Sequence, residues 1–207
     1  MSKKVIVFGA TGLMGRQIVK ENTKVGNNVT VYIRQPSYEI ENVNVFTGEL
    51  TDEMKIKKVI EGFEVIVSSI GNRNYSDPTK IVSPLTRILS KSIKDSQRLI
   101  VVFGAGLMLL TENTLMKEID NDNGELKNQR ADHWEAFCNL FSLDINFLMI
   151  CPTWVIPGDS DGNYLYRDTY FPLSDKIQVS AGNVGLFIAK EITEKKFNKT
   201  RIGLVNA

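Results

Sequence analysis

Short apolar runs alternate with amphipathic stretches along most of the chain. Val5–Phe8 is a continuous apolar run of the kind that forms a buried strand. Val29–Ile33, Val43–Phe46, Val65–Ser69, Leu99–Phe103 and Phe147–Cys151 repeat it and are rich in Val and Ile. Between them, Gly12–Glu21, Asp52–Glu61 and Pro84–Lys94 carry helical spacing. Ser83 before Pro84 reads as a helix start, because serine can cap and proline tolerates the first turn. A helix at about Leu126–Phe141 places Trp134, Phe137, Cys138 and Phe141 at i, i+3, i+4 and i+7, as an apolar stripe with His133 beside it. A helix over Val184–Glu194 and a strand at Ile202–Val205 close the pattern.

Strands alternating with helices predict an α/β fold, a Rossmann-like doubly wound parallel sheet with helices on both faces. The 207 residues, at roughly 100–200 per domain, predict a single domain over 1–207. Two stretches are less regular: Leu107–Arg130, with a turn at Asn121–Gly124, and Thr153–Asp175, with Tyr164, Tyr166, Tyr170 and Phe171. Both follow strands, so both emerge at the carboxyl edge of the sheet, where ligands of open parallel sheets bind. The second is expected to form a small C-terminal substrate lid.

Charge and composition then remove several classes. Lys and Arg number 25 and Asp and Glu 24, a net charge of +1, which argues against a dedicated nucleic-acid binder. One histidine and two cysteines, Cys138 and Cys151, leave no zinc site of repeated His and Cys ligands, so no metal is expected. No apolar segment reaches the roughly 18–20 residues of a membrane span. The apolar run after Lys3 and Lys4 ends at Gly9, too short for a signal sequence. The expectation is a soluble, cytoplasmic protein with reduced thiols and neither a membrane nor a nucleic-acid partner.

The strongest local signal is Val5–Gly15, a strand running into Gly9, Gly12 and Gly15 and then a helix. Glycines let the backbone turn sharply and approach a pyrophosphate, and the helix N-terminus offers unpaired N–H groups. Thr11, Leu13 and Met14 complete the loop, and the spacing resembles that of extended and atypical short-chain dehydrogenase/reductases. An acidic residue ending strand two would hold a ribose 2′-hydroxyl. The sequence there is Val31-Tyr-Ile-Arg34-Gln35, and a guanidinium suits a 2′-phosphate, so NADP(H) is expected over NAD(H). After strand three, Glu49 and Leu50 are candidates to bracket the adenine, and Asp52 to cap the next helix. After strand four, Gly71 should pass beside the cofactor, with Arg73 a second phosphate partner.

Short-chain dehydrogenases commonly use a Tyr-x-x-x-Lys pair for proton exchange. Four residues after Tyr32, Tyr38, Tyr75, Tyr164, Tyr166 and Tyr170 stand Pro36, Asn42, Thr79, Asp168, Tyr170 and Ser174, none of them lysine. That disfavours ordinary alcohol–ketone chemistry and leaves His133 as the one imidazole for a proton step, or else a histidine with no role.

The segments Phe8–Gly15, Val29–Arg34, Gly71–Asn74 with Pro78-Thr79, Asp132-His133 and Ile150–Pro152 together resemble the biliverdin-IXβ reductase/flavin reductase group of atypical short-chain dehydrogenases, close to NAD(P)H-binding regulators of the NmrA type. The resemblance implies that Gly9, Thr11, Gly12 and Met14 hold the pyrophosphate. It implies that Arg34 and Arg73 meet the 2′-phosphate, that Gly71 and Val82 line the cofactor, and that His133 and Pro152 lie near the nicotinamide. The group can place a serine where this chain has Gly104, and a histidine where it has Trp154, so the acceptor pocket is altered. The expected activity is hydride transfer from NADPH to a planar acceptor such as a flavin or quinone, with the proton from solvent or from His133. Trp154 and the Tyr164–Phe171 aromatics either stack on that acceptor or pack a loop. A non-catalytic NADP(H)-sensing regulator is the alternative, and a sugar-nucleotide epimerase or dehydratase a more distant one.

Overall fold

A computed structural model describes residues 2–35, 43–72, 74–119, 124 and 126–207. The chain runs β1 (Lys4–Phe8), α1 (Leu13–Lys24), β2 (Asn28–Ile33), β3 (Asn44–Thr47), α2 (Glu53–Ile60), β4 (Val65–Ser68), α3 (Val82–Ser92) and β5 (Arg98–Val102). It continues through a small hairpin, β6 (Leu109–Thr111) and β7 (Thr114–Leu115), to α4 (Met116–Ile119), α5 (Lys127–Phe141), β8 (Phe147–Pro152) and β9 (Trp154–Ile156). It ends with β10 (Tyr164–Asp168), β11 (Gln178–Ser180), α6 (Ala181–Glu194) and β12 (Thr200–Asn206).

Eight strands form one sheet in the order β10-β12-β8-β5-β4-β1-β2-β3. Every pair is parallel except β10, which runs antiparallel along β12 at the edge. The chain winds outward from β1 through β2 to β3, then returns to β4 and winds the other way. The reversal between β1 and β4 is the switch point at which open α/β sheets bind ligands. Alternation along β1 sends Val5 and Val7 to one face and Ile6 and Phe8 to the other. The first face is covered by Ile18 and Val19 of α1 and by Val184, Phe187, Ile188 and Ile192 of α6. The second is covered by Ile56 and Ile60 of α2, Leu85 and Leu89 of α3, and Ala136 and Leu140 of α5. The expected doubly wound α/β sheet is therefore the fold. None of the helices among the described residues is long and apolar enough to cross a membrane.

Four local readings change. Helix α3 begins at Val82 rather than Pro84, and Ser83 does not cap it. The carboxylate of Asp132, two helices away, accepts from the N–H groups of Ile81, Val82 and Ser83 at 2.9, 2.9 and 2.8 Å. Helix α6 begins at Ala181, because the Ser180 hydroxyl caps it by accepting from the Asn183 N–H at 3.1 Å. The stripe read on α5 is not its buried face: Asp132, His133, Ala136 and Leu140 are buried, whereas Cys138 and Phe141 are exposed. Trp134, Phe137 and Phe141 form a row beside that face with centroid distances of 5.1 and 4.6 Å, Trp134 and Phe137 half-buried against the core and Phe141 exposed. The Lys117 ammonium lies 3.5 Å from the Trp134 ring centroid, and the buried Arg201 guanidinium 5.0 Å from that of Phe137. Lastly, Thr153–Asp175 contains β9 and the edge strand β10. The expected turn over Asn121–Gly124 falls, apart from Gly124, outside the described residues.

At the amino edge of the sheet, Arg98 opens β5 with its side chain only 3% exposed. Its guanidinium donates to the Glu191 carboxylate at 3.0 Å and to the Glu191 carbonyl at 2.7 Å, and also to the Phe197 carbonyl. This pair ties β5 to the end of α6. Removing one partner of a buried pair leaves the other charge uncompensated, so E191A should destabilise the fold by about 3–5 kcal/mol. The apolar double variant R98M/E191L should lose much less; urea unfolding of both variants is the check.

Candidate functional site

The turn between β1 and α1 is shaped by two contacts that admit no side chain. Gly9 has φ +84°, and a Cβ there would lie 2.9 Å from the Ser69 carbonyl carbon and oxygen. A Cβ on Gly15 would lie 2.0 Å from the Gly9 carbonyl oxygen. These approaches draw β1, α1 and the chain leaving β4 together. The Gly12 N–H donates to Gly9 O at 3.0 Å, and no side chain caps α1 at Gly12. The first N–H groups of a helix lack intrahelical partners, and the helix dipole favours an anion there. A glycine cradle opening on an uncapped helix start fits the pyrophosphate of a dinucleotide.

From this turn a cleft of about 550 Å³ runs along the carboxyl edge of the sheet. Gly12, Leu13 and Met14 form one wall, with Ser69–Asn72 and Tyr75 from the segment after β4. Phe103–Leu107 after β5 and Pro152–Val155 around β8 and β9 form the floor. His133, Gln129 and Arg130 of α5, Met116 and Lys117 of α4, Phe171 and Ile177 complete it. Of the residues singled out from sequence, Gly12, Leu13, Met14, Gly71, His133, Pro152 and Trp154 line one space. Gly9 and Gly15 shape the turn behind it, and Thr11 accepts from the Arg16 side chain through its carbonyl at 3.1 Å. Arg34 is exposed just past β2, and Glu49 is exposed while Leu50 packs toward the core. Val82 is buried in the first turn of α3 and does not line the cleft. Arg73 lies outside the described residues.

The aromatics of Thr153–Asp175 divide. Trp154 and Phe171 line the cleft, and Trp154 is 57% exposed. Tyr164 and Tyr166 instead meet Phe187 at the far edge of the sheet, with centroids 6.0 and 5.3 Å away. The β-strand periodicity of β10 takes them there. Gly104, Gln129, Lys117 and Ile177 carried no motif. Gly104 alone was indicated by position, immediately past the carboxyl end of β5.

His133 is 7% exposed, and its Nδ1 accepts from the Gly104 N–H at 3.2 Å. Burial pushes its pKa down to about 4, against a small upward pull from Asp132, so the ring is neutral at pH 7. Burial works to raise the Asp132 pKa, but hydrogen bonds from Ser83, Val82 and Ile81 outweigh it and hold the carboxyl below its usual range. Burial pushes the Cys151 thiol up to about 12, which makes it unreactive at neutral pH.

Residues 9–195 match the NAD(P)H-binding family, and the chain belongs to it. Among solved structures, a Streptococcus pneumoniae protein provisionally assigned as an NADH-flavin reductase superposes with a TM-score of 0.90 at 22% identity, over 100% of both chains. ChuY, an anaerobilin reductase from Escherichia coli O157:H7, superposes with a TM-score of 0.76 at 15% identity, over 98% of this chain and 97% of that one. At these identities the likeness is one of fold. Eugenol synthase 1 of Petunia hybrida is 26% identical over 94 residues, 40% of this chain and 30% of that protein. The chain thus matches under a third of the length of this relative.

Two outcomes follow from the polar groups of α5. D132A should destabilise by about 2–4 kcal/mol, since three N–H groups lose a charged acceptor, and D132N by less, as read by urea unfolding. For His133 the folded pKa of about 4 lies below the unfolded value near 6.5. The unfolded state therefore binds the extra proton between these values, and stability is lost as pH falls through that window. Between pH 7.5 and 5 wild type should lose about 2 kcal/mol more than H133Q, measured by unfolding at both pH values.

Proposed function

We propose that this protein is an NADPH-dependent oxidoreductase that reduces a planar conjugated acceptor of the flavin or quinone type, within the biliverdin-IXβ reductase/flavin reductase group. The observation that carries the reading is the composition of this cleft. Its glycine turn fits a dinucleotide, and its other end offers Trp154, Phe171, Pro152 and one imidazole, without a Tyr-x-x-x-Lys pair. The bound dinucleotide supplies a hydride. The chain's own residues bind, orient and exclude water: the start of α1 receives the pyrophosphate, Phe103 and Pro152 give an apolar floor, and Trp154 with Phe171 offers faces for a flat ring. The assignments of the Streptococcus and Escherichia structures, a flavin reductase and an anaerobilin reductase by name, support a planar acceptor. The free cysteines accord with a cytoplasmic location.

Preference for NADPH rests on Arg34, exposed just past the end of β2, where Val31–Gln35 offers no carboxylate to a ribose hydroxyl. R34A should raise the Kd for NADPH about tenfold and leave that for NADH unchanged, by titration at one ionic strength. The activity itself is tested by following NADPH oxidation with FMN, riboflavin and a series of quinones. Turnover with at least one is the expected result. Tight NADPH binding with no oxidation by any of them, joined to association with another protein that depends on NADP⁺ against NADPH, would replace this reading with the regulatory one.

A further inference from the structure

We propose that His133 works as a fixed, uncharged hydrogen-bond donor, presenting its Nε2–H to the acceptor heteroatom on which negative charge collects during reduction, and not as the acid that protonates it. The inference rests on the reductase reading above and assigns the imidazole a role that the sequence left open.

The backbone supplies the first argument. The Gly104 N–H points at Nδ1 from 3.2 Å, and a backbone amide can only donate. Nδ1 must therefore carry its lone pair, because a proton there would set two N–H groups against each other. The ring's single proton then sits on Nε2, and the tautomer is set by the main chain past β5. The N–H does this whatever the side chain, since a Cβ at Gly104 would stand at an ordinary contact distance of 3.6 Å from Nδ1.

The surroundings supply the second. The Phe103 ring stands 5.5 Å from the imidazole and offers no counter-charge. Asp132 precedes His133, but its oxygens are engaged by the three N–H groups at the head of α3. Glu135, two residues along and so on a different side of α5, is ion-paired with Lys80. Among the described residues no carboxylate lines the cleft, whereas Lys117 and Arg130 do. A second proton on the ring would meet the cost of burial, which the Asp132 charge offsets only in part. Burial accordingly holds the imidazole neutral down to about pH 4.

The third argument is access. His133 lines the cleft, and Nε2 is not among the buried side-chain atoms left without a partner. Nδ1 is the ring nitrogen that Gly104 occupies, which leaves Nε2 to meet a ligand. Reduction adds a hydride at one atom of the acceptor and a proton at another. In between, the electron pair moves through the conjugated system onto a carbonyl oxygen or ring nitrogen. A preorganised N–H donor stabilises that charge without giving up its proton. The balancing proton comes from water. The acceptor must therefore bear a carbonyl oxygen or imine-type nitrogen conjugated to the atom that receives the hydride, and an isolated carbon–carbon double bond does not qualify.

The chain has one histidine, so its two ring nitrogens are unambiguous in a long-range proton–nitrogen NMR spectrum of the ¹⁵N-labelled protein. The expected spectrum shows protonated Nε2 and unprotonated Nδ1 at pH 7, with a titration midpoint below about pH 5. A midpoint near pH 6 or above, or a proton on Nδ1 at neutral pH, overturns the proposal. The second arm uses H133Q, which keeps an N–H donor near the ε position, and H133L, which has none. H133L should lose roughly 100-fold in kcat with unchanged KM for NADPH, H133Q should stay within about fivefold, and thermal melts should show both folded. The wild-type rate should be flat from about pH 5.5 to 8. H133L activity equal to wild type, or a limb near pH 6.5 that H133Q abolishes, would overturn the donor role. Failure of every acceptor would overturn the reductase reading and the donor role with it, while the spectrum still decides the state of the ring.

Discussion

The carboxylate of Asp132 is the group on which the geometry of the cleft depends. The start of α3 is buried, with Val82 and Ser83 only 2% and 1% exposed, so water cannot satisfy the N–H groups of its first turn. Asp132, itself 5% exposed, faces the converse problem of an anion removed from water. Each solves the other's difficulty. The carboxylate takes three N–H donors, and the positive end of α3 compensates the charge. Because the anion belongs to α5 and the donors to α3, the exchange sets the two helices against each other. It thereby sets the height of His133, the next residue, above the floor of the cleft.

The other end of the cleft depends on an absence of atoms. Gly15 stands so close to the Gly9 carbonyl, and Gly9 to the Ser69 carbonyl, that one methyl group at either place would push α1 off β1 or β1 off the chain leaving β4. The same logic recurs on the far side of α1, where a Cβ on Gly185 would lie 2.6 Å from the Gln17 carbonyl. Helix α1 is thus held closely against both the sheet and its neighbour α6, and its uncapped start is delivered to the switch point between β1 and β4. An uncapped helix end, an apolar floor and a neutral imidazole then share one edge of one sheet.

The parts legible in sequence and the parts that were not differ in physical kind. Strands such as Val5–Phe8 and Phe147–Cys151 are buried on both faces, so a continuous apolar run is enough to mark them. The glycine turn was legible because glycine spacing is the direct consequence of backbone crowding. On α5 the apolar stripe located the buried face only in part: Trp134 and Phe137 are half-buried at its flank, whereas the fully buried face carries an aspartate and a histidine. Polar residues go inside when other elements satisfy them, and those elements are 29 or more positions away in the chain: Ile81–Ser83 for Asp132 and Gly104 for His133. For Tyr164 and Tyr166 the sequence left acceptor stacking and local packing open, and the antiparallel edge strand β10 decides it by turning them toward Phe187 and away from the cleft.

The sequence by itself therefore determined the class of fold, the dinucleotide turn and the absence of a Tyr–Lys proton pair, all of which follow from local periodicity, spacing or a direct count. Only the tertiary structure decided what the lone histidine is. Its charge state follows from desolvation and its tautomer from a main-chain N–H on another element, and neither leaves a mark on the residues beside it. A protein that reads in sequence as having one possible acid is, once folded, one that holds that imidazole neutral and aims it as a donor.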